Sequence, residues 1–223
     1  MKICKGDMKL YVVTDRTWLK KNTLVEEIEK VVKSGATFVQ LREKQLSYEE
    51  FLAEAILIKK ITDKYKVPFV INDNIKLAME VDADGIHIGQ SDIDGKDARA
   101  IIGDDKILGI TAKTVEQALK AEADGANYLG VGAAFSTSTK LDTNVISFDT
   151  IRDICNAVSI PVVTIGGISE KNILELKGLG VDGVAVVSAI FAKTDVAKAT
   201  QEMFKLSEEI IEHNSAEYYT NKK

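Results

Sequence analysis

Short apolar runs rich in β-branched residues recur along the whole chain. Within each run the apolar residues are nearly continuous and do not alternate with polar ones. That pattern is typical of parallel strands that are buried on both faces. Eight strands are therefore predicted, at residues 10–13, 37–41, 69–71, 85–88, 107–110, 127–131, 162–165 and 183–187.

Segments with helical periodicity separate the strands. A helix is predicted at residues 48–65, and its apolar face consists of Phe51, Ala55, Ile58 and Thr62, widened by Leu52 and Leu57. Capping-box pairs predict three helix starts, at Ser47 with Glu50, Thr23 with Glu26 and Thr114 with Gln117. Similar turns precede several strands, which indicates a repeated strand–helix unit.

Eight such units predict a (β/α)8 TIM barrel in the α/β class, forming a single domain over residues 1–223. A doubly wound open sheet is the main alternative, but evenly spaced units without a change in composition favour closure. Residues 214–223 are polar and are expected to form a frayed tail.

Composition narrows the classes of function. A net charge of −5 and a pI near 5.3 argue against a nucleic-acid-binding protein, although they leave room for a small anionic ligand. Cys4 and Cys155 lie outside any metal or redox spacing. The first ten residues predict no signal peptide, and no segment is predicted to reach the length of a membrane span. A cytoplasmic protein without a membrane partner is expected. The outer helix faces of a barrel have the same sequence pattern whether they contact solvent or another subunit. The sequence therefore neither predicts nor excludes a homo-oligomer.

The loop that follows the sixth strand packs four hydroxyl groups and one cation into residues 136–140. Hydroxyls, backbone N–H groups and a lysine together are suited to binding an oxyanion such as phosphate. A solvated Ser/Thr loop is the alternative. Other strand ends carry groups suited to the same ligand, which favours the anion site.

Three neighbouring strands end in charged or amide side chains. Gln40, Arg42 and Lys44 alternate after the second strand, where two cations can hold an anion, unless they form surface salt bridges with Glu43. Asp73 and Asp92 end the third and fourth strands. Two carboxylates and substrate phosphates are a usual magnesium site, but either aspartate could instead cap a helix or a turn.

The remaining strand ends add a phosphate site and two ambiguous residues. Glycines at 166 and 167, and Ser188 after the eighth strand, lie where this fold commonly binds phosphate. Thr111 could donate its hydroxyl to the site or only begin a turn. His87 could act as a general base, but its position inside the strand favours a structural histidine. No Ser–His–Asp set, reactive cysteine spacing or dinucleotide motif is present, so loss of a phosphate-type leaving group fits better than hydrolysis or redox chemistry.

Taken in order, these segments resemble the thiamine-phosphate synthase (thiamine-phosphate pyrophosphorylase) family from about residue 10 to residue 191. The resemblance rests on YVVTDR (11–16), QLREK (40–44), IND (71–73), GIHIGQSD (85–92), TSTK (137–140) and VTIGGI (163–168). It implies a (β/α)8 transferase that joins hydroxymethylpyrimidine diphosphate to thiazole phosphate, releasing thiamine phosphate and diphosphate with the aid of Mg2+.

The resemblance also implies the role of each site residue. Binding of the pyrimidine diphosphate is implied for Gln40, Arg42, Lys44, Asn72 and Lys140, with Thr111 beside the pyrimidine. Binding of the thiazole phosphate is implied for Thr137, Thr139, Gly167, Val187 and Ser188. Asp73 and Asp92 would bind magnesium, and the catalytic residues would be Arg42, Lys44, Lys140 and Thr111.

Two departures and two alternatives accompany the resemblance. Ala133 and Ser136 stand where family members often have proline, and Thr111 replaces the usual serine. A thiazole tautomerase is the nearest alternative, but it lacks the diphosphate-binding set that this chain retains. A non-catalytic barrel that only binds a phosphorylated metabolite is the second.

Overall fold

A computed structural model of the protein describes residues 3–136 and 144–220. Eight parallel strands close into one barrel in chain order, and the first strand pairs with the last through Leu10 opposite Val184. The strands are β1 Leu10–Val13, β2 Phe38–Leu41, β3 Phe69–Asn72, β4 Gly85–Ile88, β5 Ile107–Ala112, β6 Tyr128–Gly132, β7 Val162–Ile165 and β8 Gly183–Val186. The predicted TIM barrel is confirmed, and each predicted strand is present within two residues.

Helices cover the outside of the barrel. The α-helices are α1 Leu24–Lys33, α2 Tyr48–Tyr65, α3 Ile75–Glu80, α4 Gly95–Ile102, α5 Val115–Ala123, α6 Phe148–Ala157, α7 Ser188–Phe191 and α8 Val196–Thr220. Three short 3-10 helices lie at Lys5–Met8, Arg16–Trp18 and Ile173–Leu176. The last of these is the only helical element between β7 and β8, where the repeated unit predicts an α-helix.

Alternation along the strands creates two apolar cores. One set of side chains fills the barrel interior, with Met8 from the first 3-10 helix closing its lower end beside Tyr11 and Phe38. The opposite set, including Leu10 and Val12, packs against the helices. This alternation decides what reaches the upper end, because Phe38 and Gln40 of β2 share the inner face and Arg42 follows in the same series.

Local sequence signals account for most helix starts. Ser47 and Thr23 form the predicted capping boxes with Glu50 and Glu26. Thr114 caps α5, but the Gln117 side chain accepts from the N–H of Lys113 instead of returning to Thr114.

One expectation for the helices is corrected. Leu57 does not widen the buried face of α2, since 48% of it is exposed, whereas Phe51, Ala55, Ile58 and Thr62 are buried as predicted. Helix α8 continues to Thr220, and the frayed tail expected at residues 214–223 stays a prediction. Asn214 of α8 accepts from the N–H of Gly178 and donates to the carbonyl of Val181, which ties this part of the helix to the segment before β8. Within the described ranges, no helix combines the length and apolarity needed to cross a bilayer.

Candidate active site

A cavity of about 530 Å³ opens at the carboxyl ends of the strands. Its walls come from all eight strand ends, so residues far apart in sequence face one space. Ten predicted site residues line it: Gln40, Arg42, Lys44, Asn72, Asp73, Asp92, Thr111, Gly167, Val187 and Ser188. Thr137, Thr139 and Lys140 lie outside the described residues.

The residues that follow β2 are bonded to the segment that follows β1. The Thr14 hydroxyl accepts from the N–H of Arg42 at 2.9 Å and donates to the Arg42 carbonyl at 3.2 Å. Glu43 points away from the cavity, and the Arg16 guanidinium lies 3.3 Å from its Oε1. Salt bridges from Arg42 and Lys44 to Glu43, the alternative considered above, are therefore not what the structure contains.

Asp73 and Asp92 lie next to each other at the ends of β3 and β4. Their carboxyl groups are close enough for each to alter the pKa of the other, and Lys44 Nζ lies 2.8 Å from Asp73 Oδ2. Burial opposes ionisation of Asp73, but Lys44 and the neighbouring hydrogen bonds outweigh it and hold its pKa below the usual value. Burial, together with the adjacent Asp73 carboxyl, raises the pKa of Asp92.

This pair fits a divalent cation. Two carboxyl groups forced together repel each other when both are ionised, and a cation between them would relieve that repulsion. Asp73 is not the cap of α3, because Asn74 caps that helix and Asp73 has a left-handed φ of 62°. Asp92 does bind locally, since its Oδ2 accepts from the N–H of Gly89 at 2.7 Å. Within the described residues no cluster of three or more metal-binding side chains occurs, so a cation here would take further oxygens from a ligand.

A buried polar network forms the floor of the cavity. Gln40 Nε2 donates to the Tyr11 hydroxyl, which lies 2.8 Å from the Tyr128 hydroxyl. Tyr128 is 2.9 Å from Nδ1 of His87, whose Nε2 is 3.0 Å from the Thr111 hydroxyl. Burial lowers the pKa of His87 to about 4, which makes the ring neutral. His87 has both nitrogens satisfied, as expected of a structural histidine, yet it also lines the cavity.

On the opposite wall, the turn after β7 lies directly under the loop after β6. Gly166 and Gly167 have φ values of 102° and 66°. A Cβ on Gly167 would lie 2.3 Å from the carbonyl oxygen of Ser136, so only glycine fits there. Asn172 fixes this turn by donating to the Gly167 carbonyl at 2.9 Å.

Sequence reasoning missed several cavity residues. Tyr11 lines the cavity but lies inside an apolar run, so nothing local distinguishes it from core. Gln90 also faces the cavity and donates to the Thr111 carbonyl at 2.6 Å. Lys113 adds a cation after β5. A polar residue just after a strand is the signal that could have identified Gln90 and Lys113.

Comparison with known proteins gives a consistent result. A family model described as thiamine monophosphate synthase matches residues 10–190. The thiamine-phosphate synthase of Clostridium tetani is 52% identical over 197 residues, covering 88% of this chain and 94% of the relative. That of Clostridium botulinum is 50% identical over 199 residues, covering 89% and 93%. Among solved structures, thiamine phosphate pyrophosphorylase from Pyrococcus furiosus superposes with a TM-score of 0.85 at 38% identity, covering 93% of this chain and 98% of that one.

Proposed function

The chain belongs to the thiamine monophosphate synthase family, and from that membership we propose how its cavity carries out the reaction. The enzyme is a transferase that condenses hydroxymethylpyrimidine diphosphate with thiazole phosphate, giving thiamine phosphate and diphosphate. The observation that carries the assignment of the cavity is its division into two walls. Cations and carboxylates occupy the β2–β4 wall, and a glycine turn occupies the β7 wall.

The diphosphate is assigned to the β2–β4 wall. Arg42, Lys44 and Asn72 all line the cavity there, beside the carboxylate pair. Arginine and lysine form short, charge-assisted hydrogen bonds to phosphate oxygens. Lys140, which follows β6 in the sequence, is assigned to the same leaving group.

The reaction is proposed to proceed by departure of the diphosphate before attack. The bond between the pyrimidine methylene carbon and the diphosphate oxygen breaks, and its electron pair leaves with the diphosphate. The lone pair of the thiazole nitrogen then forms the new C–N bond. Because the nucleophile carries no proton at that atom, no general base is required. Fixed cations near the departing oxygen stabilise the charge that develops there.

Asp73 and Asp92 are proposed to hold Mg2+. The closeness of the two carboxyl groups supports this, since a divalent ion would offset the repulsion between them. When bound, the ion would neutralise charge on the diphosphate. Lys44, already paired with Asp73, lies next to that position.

The organic parts of the substrates are assigned by the remaining lining. Gln40 and Thr111 offer an amide and a hydroxyl to the pyrimidine from the cavity floor. Gly167, Val187 and Ser188 face the same space from β7 and β8, and with Thr137 and Thr139 they are assigned to the thiazole phosphate. Free Cys4 and Cys155 support a reducing, cytoplasmic location as part of the same proposal.

An assay of the purified protein with both precursors and Mg2+ tests the function. Thiamine phosphate and diphosphate should appear in equal amounts. Arg42→Gln should abolish most turnover, whereas Arg152→Gln should not, because Arg152 bonds Asp149 on the surface of α6. Binding of both precursors without release of diphosphate would contradict the proposal and favour a non-catalytic binding barrel.

A further inference from the structure

Five side chains from five different strands cross the barrel interior as one hydrogen-bonded series, which we call the floor chain. In order, its members are Gln40, Tyr11, Tyr128, His87 and Thr111. The two ends, Gln40 and Thr111, both face the cavity. The middle is dry, since Tyr11 is 1% exposed and Tyr128 is fully buried. A buried series of hydroxyl and ring groups must satisfy each donor within itself.

We infer that the floor chain has a single direction, with every proton pointing from Gln40 toward Thr111. Gln40 gives an N–H to the Tyr11 oxygen, so the Tyr11 proton goes to Tyr128. The Tyr128 proton then goes to Nδ1 of His87. A neutral imidazole carries one proton, which leaves Nε2–H to donate to the Thr111 oxygen.

The direction decides what the cavity presents to a ligand. The Thr111 oxygen accepts from His87, so its own proton is left to donate into the cavity. Gln40 uses its amide nitrogen on Tyr11, so its carbonyl oxygen is left to accept. The two ends therefore form a donor–acceptor pair of fixed polarity. This rests on the proposed function in one respect: an aminopyrimidine, with amino protons and ring-nitrogen lone pairs, is the group complementary to such a pair.

Two glycines build the space that the floor chain requires. A Cβ on Gly109 would lie 2.1 Å from Cζ of Tyr128, and a Cβ on Gly130 would lie 3.0 Å from Cε1 of His87. The tyrosine and histidine rings thus pass through positions that any other residue on β5 and β6 would obstruct. With so little room, the rings keep the orientation that the series needs. Tyr11, Tyr128 and His87 are positioning residues in this view.

Nitrogen-15 NMR of the histidine-labelled, ligand-free protein tests the direction without any assay of activity. The chain has only two histidines, and His213→Gln identifies the signals of His87. We expect Nε2 to give the protonated, pyrrole-type signal and Nδ1 the unprotonated, pyridine-type signal. A proton on Nδ1, on both nitrogens, or exchanging between them would overturn the inference. Because this readout needs no substrate, it stands apart from the fate of the proposed reaction.

A second measurement tests whether Gln40 sets the direction. Gln40→Glu replaces the amide donor by a carboxylate that, when ionised, can only accept, so the Tyr11 proton should turn to that carboxylate and the Nδ1–H form of His87 should become detectable. Gln201→Glu, at an exposed site on α8, is the matched control and should leave the His87 signals unchanged. A pure Nε2–H form in Gln40→Glu would show that the side chain at position 40 does not set the direction of the floor chain.

Kinetics provide the third readout. Tyr128→Phe removes the donor to His87 and should raise KM for the pyrimidine diphosphate about fivefold, the equivalent of one hydrogen bond. KM for the thiazole phosphate should not change, since β7 and β8 contribute that wall. Equal increases for both substrates, in a variant with normal thermal unfolding, would contradict a role in positioning.

Discussion

The side-chain nitrogen of Lys44 lies 2.8 Å from Oδ2 of Asp73, so a cation assigned to the diphosphate is paired with a carboxylate assigned to magnesium. The Lys44 side chain is 54% exposed, and exposed ion pairs contribute little and rearrange readily. A metal ion that binds Asp73 would compete with Lys44 for the same oxygen. Binding of the metal would therefore free the ammonium group to turn to the diphosphate.

Lys44→Gln tests this exchange. Loss of a charge-assisted hydrogen bond to the leaving group should reduce kcat/KM for the pyrimidine diphosphate by about 10- to 100-fold. Steady-state kinetics at saturating thiazole phosphate and Mg2+ measure the effect. Lys205→Gln, at an exposed site on α8, serves as the control and should behave as the unmodified enzyme. A Lys44 variant with unchanged kcat/KM would show that the lysine only neutralises Asp73.

Asp92→Asn should raise the Mg2+ concentration for half-maximal activity by at least roughly tenfold. The asparagine can still accept from the Gly89 N–H, so the local turn is kept while the ionisable oxygen pair is lost. Magnesium titrations of activity, supported by calorimetry of Mg2+ with diphosphate, measure the change. Asp97→Asn, exposed on α4, is the matched control. An unaltered titration for Asp92→Asn would reduce that residue to a cap of the turn.

Several residues that line the cavity were predictable from sequence because they continue the period of a strand or follow its end. Gln40, Arg42 and Lys44 follow the two-residue period of β2 past its end, so all three reach the cavity. Asp73 and Asp92 come together because parallel strands of a barrel end at one rim. These predictions need only local periodicity and the closure of the barrel.

The floor chain was not predictable, because its hydrogen bonds join residues that are far apart in sequence. Tyr11 and Tyr128 are 117 positions apart, and each begins or lies in an apolar run that is typical of core. Only the barrel geometry brings the two hydroxyls within 2.8 Å. The same holds for Arg16, whose partner Glu54 lies 38 residues away on α2. The prediction that Leu57 is buried was wrong for another reason. Apolar residues at the margin of a helix face can be left exposed without a large loss of stability.

Arg16 joins the loops after β1 and β2 to helix α2. Its guanidinium bonds both carboxylate oxygens of Glu54, at 2.8 and 2.7 Å, and also contacts Glu43. The Glu43 side chain is 4% exposed, and burial raises its pKa despite the guanidinium. Arg16→Gln should reduce the free energy of unfolding by about 2 kcal/mol near pH 8, because a buried carboxylate loses its partner.

The pH dependence of this loss has a defined sign. A carboxyl group whose folded-state pKa is raised destabilises the fold only when ionised. The penalty is absent below the unfolded-state pKa, grows as the pH rises between the two pKa values, and is complete above the folded-state pKa. Arg16→Gln should therefore be less destabilising at pH 5 than at pH 8, as measured by urea unfolding. A loss that is the same at both pH values would contradict the role assigned to Glu43. Arg152→Gln, which breaks an exposed pair on α6, should change stability by less than about 0.5 kcal/mol at either pH.

Gly167→Ala should separate the two walls of the cavity. The new Cβ would press on the carbonyl oxygens of Ser136 and Phe135, at 2.3 and 2.8 Å, and must displace the loop that leads to Thr137 and Thr139. KM for the thiazole phosphate should rise roughly tenfold, because a small misplacement of binding groups is enough for such an effect. KM for the pyrimidine diphosphate should stay near its original value, since its wall is built from β2 to β4.

Backbone strain alone must be distinguished from this displacement. Gly103 has a comparable φ of 73° after α4, but a Cβ there meets nothing within 4 Å. Gly103→Ala should therefore lower stability by about 1 kcal/mol, as strain does, and leave both KM values unchanged. If the two variants shifted the kinetics alike, the effect at Gly167 would come from general destabilisation. If Gly167→Ala raised both KM values equally while Gly103→Ala raised neither, the turn after β7 would support the whole rim and not the thiazole phosphate alone.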